Sequence, residues 1–261
     1  MDQPQVIEPV GDPLIDRFID ALWLEDGLAQ LTLAAYRRDL ALFNGWLQQS
    51  PVQAKELNQV QEADLQAYFA QRHAQTRATT ANRRLTVLRR FYHWCVRERM
   101  IQADPTVRML SARQPLRVPK TMSEAEVEAL LAAPDTDTDL GLRDRTMLEL
   151  MYASGLRVSE LVSLRRIDVM QSDQVLRVLG KGNKERLVPY GQEAALWLER
   201  YLSTARPALV GDRAQEALFI TARGAKAGQA MSRVMFWGLV RKYAVQAGIV
   251  RPLSPHTLRH A

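Results

Sequence analysis

The stretch QVLRVLGKGNKERLVPY, residues 174–190, alternates where its surroundings do not. Val175, Arg177 and Leu179 fall on one side of an extended chain and Leu176 and Val178 on the other, and Arg186, Leu187 and Val188 resume the run after Gly182-Asn183. Successive side chains of a strand point to opposite faces, and a Gly-Asn pair tolerates the positive φ of a tight turn. The spacing therefore predicts two antiparallel strands joined by a two-residue hairpin. On either side helical periodicity takes over, at Leu161 and Leu164 before it and at Ala194, Leu198 and Tyr201 after it. The expected fold class is mainly α, in two domains: an N-terminal helical bundle and a C-terminal, mainly helical domain carrying a small antiparallel sheet.

Within the second domain, Ser123-Glu124-Ala125-Glu126 has the spacing of a capping box ahead of Val127, Leu130 and Leu131. A helix is expected from about Leu142 to Ala153, with Gly155 as its left-handed stop and a further helical turn over Val158 to Leu164. Phe236, Val240, Tyr243 and Ala247 mark another helix. Upstream, Ile101 to Lys120 loses periodicity while Pro105, Pro115 and Pro119 appear among Arg108, Arg113 and Arg117, the composition of an extended connector. The expected organisation is a helical domain over 1–104, a linker over 105–120 and a second domain over 121–261.

The first hundred residues read as helices. Asp12 is placed to cap a helix with Pro13 at its first position. Leu14, Ile15, Phe18, Ile19, Leu22 and Trp23 follow at helical spacing until Gly27. Thr32 is the expected cap of a second helix whose stripe is Leu33, Tyr36, Leu40, Phe43 and Leu47, ended by Ser50-Pro51. Leu65, Tyr68 and Phe69 suggest a third helix, and Thr79 to Met100 a long fourth with Leu85, Leu88, Tyr92 and Cys95 inward.

Charge and cysteine content narrow the function classes. The formal net charge of +6 suits a polyanionic partner. The single cysteine, Cys95, forbids an internal disulfide and a cysteine-based zinc cluster, pointing to a reducing cytoplasm and to a packing role for that residue. The acidic, proline-bearing N-terminus lacks the apolar core of a secretory signal, and no apolar run is long enough to span a bilayer.

Two sets of cations could carry chemistry. From Thr76 to Met100, Arg77, Arg83, Arg84, Arg89, Arg90, Arg97 and Arg99 are opposed in sequence only by Glu98, and Arg83, Arg90 and Arg97 share a helix face. Such a face fits along a phosphate backbone, and equally describes a solvated helix surface. The second set sits on turns: Arg157 after Gly155, Lys181 beside Gly182-Asn183, and His256 with Arg259 on the first turn of a helix opened by Ser254-Pro255, where the helix N-terminus also attracts an anion. Singly, Arg157 could follow a C-cap, Lys181 could be solvated and His256 could bond a carbonyl. Together they suggest one anion pocket.

At these residues the sequence resembles a known family. ASGLRVSEL (153–161), GKGNKERLVP (180–189) and SPHTLRHA (254–261), in that order, resemble the signature of the tyrosine recombinases, the phage integrase family. FIDALWLEDGLAQLTLAAYRRDL (18–40) resembles in particular one of the two sister recombinases of the bacterial Xer system. The resemblance implies a core-binding, SAM-like N-terminal domain and a C-terminal catalytic domain. It implies cleavage of a DNA phosphodiester by a tyrosine, with Arg157 and Arg259 stabilising the charged phosphorane, Lys181 protonating the leaving 5′-oxygen and His256 assisting. The arginines Arg77 to Arg97 would bind DNA, with no metal or nucleotide cofactor. The implied partners are double-stranded DNA at a specific site, a XerC-like recombinase in a heterotetramer, and a DNA translocase of the division machinery, with chromosome partition in the cytoplasm as the setting. A binding module without chemistry, or a topoisomerase-like or RNA-binding protein, are the competing expectations. One departure is large. The family's nucleophile follows the His-x-x-Arg motif, whereas Tyr36, Tyr68, Tyr92, Tyr152, Tyr190, Tyr201 and Tyr243 all precede it. The expectation is a C-terminally truncated form that binds DNA without cutting it.

Overall fold

A computed structural model describes residues 12–49, 54–113, 122–180, 184–222, 227–251, 253 and 255–259. The chain divides into two units, Met1–Arg117 and Val118–Ala261. Each has its own hydrophobic core.

In the first unit, α1 (Pro13–Asp26) starts as its residues dictate. The Asp12 carboxylate accepts from the backbone N–H of Leu14 at 2.9 Å, Pro13 has no N–H that would need an acceptor, and Gly27 at φ 58° closes the helix. α2 (Gln30–Gln48) begins earlier than expected. Ala29, not Thr32, is its N-cap, because the carbonyl of Ala29 already accepts from Thr32 and Leu33, which leaves Thr32 inside the first turn. α3 (Glu62–Arg72) and α4 (Ala78–Arg97) complete the bundle. α4 stops three residues short of Met100, since Arg99 turns the chain at φ 57° and the Met100 N–H returns to the Cys95 carbonyl at 2.9 Å. Leu85, Leu88, Tyr92 and Cys95 are buried as their spacing predicts. They join an aromatic core in which Phe18 meets Phe91 edge-on at 5.3 Å and Phe43 meets Tyr68 at 4.9 Å, geometries that favour aromatic pairs.

Residues 105–113, expected as the start of an extended connector, are fastened to this unit. Asn82 exchanges two hydrogen bonds with the backbone of Ala112, Arg89 donates to the carbonyl of Met109, and Met109 is buried. At Pro105 the chain is a turn over residues 105–108 rather than extended, with the Met109 N–H donating to the Thr106 carbonyl at 3.0 Å, and the polar groups at Met109 and Ala112 are satisfied by α4.

The second unit is organised by α6 (Asp139–Ser154), most of whose residues are buried. α5 (Glu124–Ala132) packs on it after the predicted capping box, in which the Ser123 N–H donates to Glu126 at 2.9 Å. α6 begins about a turn earlier than expected because Thr138 caps it, its hydroxyl accepting from the Gly141 N–H at 3.0 Å. Gly155, at φ 56°, ends it. α7 (Val158–Ser163) follows at once.

The sheet is antiparallel in the order β1-β2-β3: β1 (Val169–Met170), β2 (Val175–Leu179) and β3 (Glu185–Pro189). The predicted alternation holds on β2, where Leu176 and Val178 are buried, and pairs Leu176 with Val188 and Val178 with Arg186. β1 was not expected, since two residues are too few to display a period of two. The ladder ends where the Gly180 N–H donates to Lys184 at 2.8 Å, and the predicted Gly182-Asn183 turn lies outside the described residues.

α8 (Gly191–Arg200), a π-helical turn over Tyr201–Ala205 and α9 (Arg206–Val210) run on from the sheet. α10 (Arg233–Gln246) and α11 (Pro255–Arg259) close the unit. A buried network pins α10 to α6: Arg143 donates to Asp144 at 2.7 Å, and the Tyr243 hydroxyl reaches the other Asp144 oxygen at 2.8 Å. Among the described residues no helix is long and apolar enough to cross a membrane.

Candidate active site

Two of the cation-bearing turns rest on α6. α7, which Arg157 precedes as N-cap, and α11, which ends at Arg259, both pack against it. Leu258, fully buried, anchors α11 in the core and leaves its neighbour Arg259 half-buried. A helix of five residues has no stability of its own, so this contact decides where Arg259 stands. His256 lies on α11, but its side chain is outside the described residues, as are Lys181 and Ser254. Of the Lys181 turn, the structure describes its flanks, Gly180 and Lys184.

Arg157 is the N-cap of α7, with extended backbone at φ −71° and ψ 150°. Three residues on, Glu160 folds back over it. One carboxylate oxygen accepts from the Arg157 N–H at 2.8 Å and the other from its Nη1 at 2.9 Å. This is the acidic half of a capping box, with an arginine, which has no acceptor to offer the N3 N–H, in the position usually held by serine. Its effect is to fix a long cation by both ends, while the Arg157 side chain remains 52% exposed and that of Glu160 only 5%. The same carboxylate receives Arg186 from β3 in a two-pronged pair, Nη1 at 3.0 Å and Nη2 at 2.9 Å. Burial pushes the Glu160 carboxyl up, but the hydrogen bonds from Arg186 and from the backbone and side chain of Arg157 outweigh it and hold the pKa down to about 2. Glu160 is therefore a carboxylate at any physiological pH.

The scheme recurs eight residues later. Asp168 accepts from the backbone and side chain of Arg165 at 3.0 Å and takes Arg177 from β2 at 3.2 Å. Sequence reasoning gave none of Glu160, Arg186 and Asp168 a role. The signal for the acids was present in the Arg-x-x-acid spacing of a capping box. The signal for Arg186 was not, since its partner lies 26 residues away.

The arginines of α4 are placed differently from their reading in sequence. The acids absent from their own helix arrive from α1 and α2: Arg83 binds Asp39 through two nitrogens, Arg90 binds Asp26 at 2.6 Å, and Arg97 binds Glu25 at 2.7 Å. Arg84 approaches the same Asp39 at 3.8 Å, and Arg89 is spent on the Met109 carbonyl. The shared face of Arg83, Arg90 and Arg97 is thus an ion-paired seam, although their side chains remain 50%, 36% and 48% exposed. Arg77, the N-cap of α4, is exposed and has no ion-pair partner among the described residues.

The model of the phage integrase family matches residues 120–261, and that of the phage integrase N-terminal SAM-like domain matches residues 15–99. The chain belongs to the phage integrase family, the tyrosine recombinases. Within that family it is similar to the proteins named tyrosine recombinase XerD. It is 56% identical to that of Ralstonia nicotianae, over 98% of this chain and 81% of the relative, and 48% identical to that of Pseudomonas putida, over 95% and 82%. The fold is that of solved integrases. A lambda integrase dimer bound to a COC′ core site matches with a TM-score of 0.71 at 17% identity, over 95% of this chain and 86% of that one. The Tn1549 transposon integrase in complex with circular intermediate DNA matches with a TM-score of 0.72 at 17% identity, over 95% and 84%.

Proposed function

We propose that this chain binds a specific duplex site and grips one backbone phosphate for cleavage and rejoining through a 3′-phosphotyrosyl link. The observation that carries this is the Arg157 guanidinium, held from beneath by a buried carboxylate while half its surface faces outward. An arginine so held loses little freedom on meeting an anion, and its planar fork matches two phosphate oxygens. Arg259 is the second such donor. The five-coordinate phosphorane carries more charge on its non-bridging oxygens than the ground state does, so both arginines bind it more strongly and speed the step. A tyrosine oxygen gives up its proton to water and forms the new bond to phosphorus, the bond to the 5′-oxygen breaks, and Lys181 supplies the proton that oxygen takes. His256 hydrogen-bonds the phosphate or assists that transfer. Loss of one preorganised donor of this kind costs on the order of 10² to 10³ in rate, about 3 to 4 kcal/mol.

The duplex contacts are Arg77, Arg83, Arg84, Arg89, Arg90 and Arg97. The exposed side chains of Arg77, Arg83 and Arg97 support this more than the half-buried ones of Arg84, Arg89 and Arg90 do. Similarity to the XerD relatives supports a finer reading: a heterotetramer with a XerC-like recombinase, control by a DNA translocase, and resolution of chromosome dimers at division in the cytoplasm. No tyrosine follows Arg259 in these 261 residues. The test joins them to the C-terminal segment of the Ralstonia nicotianae relative and supplies a suicide-nicked recombination site. A covalent protein–DNA adduct is expected, and its absence with Arg157 and Arg259 intact contradicts the reading.

A further inference from the structure

Glu160 carries one negative charge and is shared by two cations. Arg157 takes one of its oxygens by Nη1, and Arg186 takes both. The consequence is a matter of charge count. Were Arg157 and Glu160 alone, the pair would be neutral, and an approaching phosphate would meet a guanidinium whose field is cancelled at 2.9 Å by a carboxylate screened from water. With Arg186 present the cluster is net positive, and Arg157 keeps its attraction for an anion although it is bonded to an acid.

The position of Arg186 gives the contact a second consequence. It stands on β3 opposite Val178 of β2, in the strand pair whose connecting residues include Lys181. Its bonds to Glu160 tie that strand pair to the helix that begins at Arg157. Room for the guanidinium is kept by Gly180, where an added Cβ would stand 3.1 Å from Arg186 Nη1.

We propose that Arg186 is a positioning residue for strand cleavage: it neutralises Glu160, so that Arg157 is held rigidly yet retains its charge for the scissile phosphate. This rests on the reading that Arg157 grips that phosphate. Arg186 itself need not touch DNA. A plain strut between helix and sheet would also explain the contact, so the test separates charge compensation from scaffolding.

The assay is single-turnover cleavage of the suicide substrate by the joined chain, with duplex affinity and thermal unfolding measured on the same variants. Arg186→Met is expected to slow cleavage by about ten- to a hundredfold, less than the loss of a direct donor, and to change affinity by less than about threefold. Arg186→Lys, which keeps the charge and loses the fork, is expected to recover most of that rate. The decisive variant is Arg186→Met with Glu160→Gln, which removes both charges and is expected to cleave faster than Arg186→Met alone. A double variant as slow as or slower than the single one overturns the proposal, as does an Arg186→Met enzyme with the parental rate. Should the methionine variant unfold at the assay temperature, the contrast is read between Arg186→Lys and Arg186→Gln, and equal rates there overturn it. Arg157→Ala serves as the control for the underlying reading: if it cleaves at the parental rate, the phosphate grip itself fails, whatever Arg186 does.

Discussion

Replacing Gly141 by alanine separates two physical effects of opposite sign. In an exposed helix, glycine to alanine stabilises by about 1 kcal/mol, because alanine loses less backbone entropy. Gly141 lies in the first turn of α6, tucked beneath the turn that precedes it. A Cβ there would stand 1.8 Å from the carbonyl oxygen of Asp135, 2.6 Å from its carbon and 2.9 Å from the Thr138 hydroxyl. Backbone cannot be approached so closely, so the 135–138 turn must move by more than about 1 Å, with a strain of roughly 1 to 3 kcal/mol. That movement also breaks the helix cap, since the Thr138 hydroxyl both accepts from the Gly141 N–H at 3.0 Å and donates to Asp135 at 2.9 Å. A lost threonine cap adds about 1 kcal/mol. Strain and cap together outweigh the propensity gain, for a net loss of about 1 to 3 kcal/mol. Urea unfolding of Gly141→Ala, followed by a probe in the second unit, is expected to show a lower midpoint with an unchanged slope. A midpoint equal to or above the parent's would refute the claim that this glycine is required by close approach.

Three further predictions concern groups whose surroundings set their behaviour. Burial, then the charge of Asp104, pushes the Cys95 thiol up to about 12. At pH 8 an alkylating reagent is therefore expected to label the unfolded chain and spare the native one, and rapid native labelling would contradict the packing role. The Glu160 carboxyl is held at about 2 against an ordinary 4.5. A depressed acid stabilises the fold fully above the unfolded value, and the contribution drains away as pH falls from 4.5 through about 2. Because both partner arginines are well exposed, solvent screening reduces it to about 1 to 2 kcal/mol. Glu160→Gln is expected to be less stable than the parent by that amount at pH 7 and to converge with it near pH 2; a difference that persists there counts against the ion-paired carboxylate. Asp39→Ala is expected to destabilise the first unit by about 1 to 3 kcal/mol, since its buried carboxylate holds Arg83, while duplex affinity stays level or rises as that arginine is released. A fall in affinity at constant folding would show that Arg83 needs Asp39 to meet DNA.

The parts of this fold that were legible are those decided within a few residues. Asp12-Pro13, Ser123 with Glu126, and Gly27 and Gly155 each do locally what their chemistry requires, and the alternation of β2 survives because one face of the strand is buried. Boundaries failed where the backbone had a competing partner. The Ala29 carbonyl opened α2 before Thr32 could cap it, and Arg99 took a left-handed conformation that nothing in its side chain announces. The arginine row of α4 was visible, but its neutralisation was not, because Asp39, Asp26 and Glu25 stand 44, 64 and 72 residues away and only the helix packing brings them near. In the candidate site, the turns that carry Arg157 and Arg259 were visible in the sequence. Glu160 was quoted within its motif without a role, for an acid beside an arginine in sequence carries no sign of which other cation it also holds.

Arg157 and Arg259 are proposed to answer to the charge of one phosphate. The direct measurement pairs each Arg→Ala variant of the joined chain with two substrates, one carrying an ordinary scissile phosphate and one a neutral methylphosphonate there. If the arginines act on that charge, each substitution costs about 10² to 10³ in cleavage rate on the phosphate and little on the methylphosphonate. Equal losses on both substrates would mean that the arginines support the fold or the duplex, and that the phosphate is gripped by other groups.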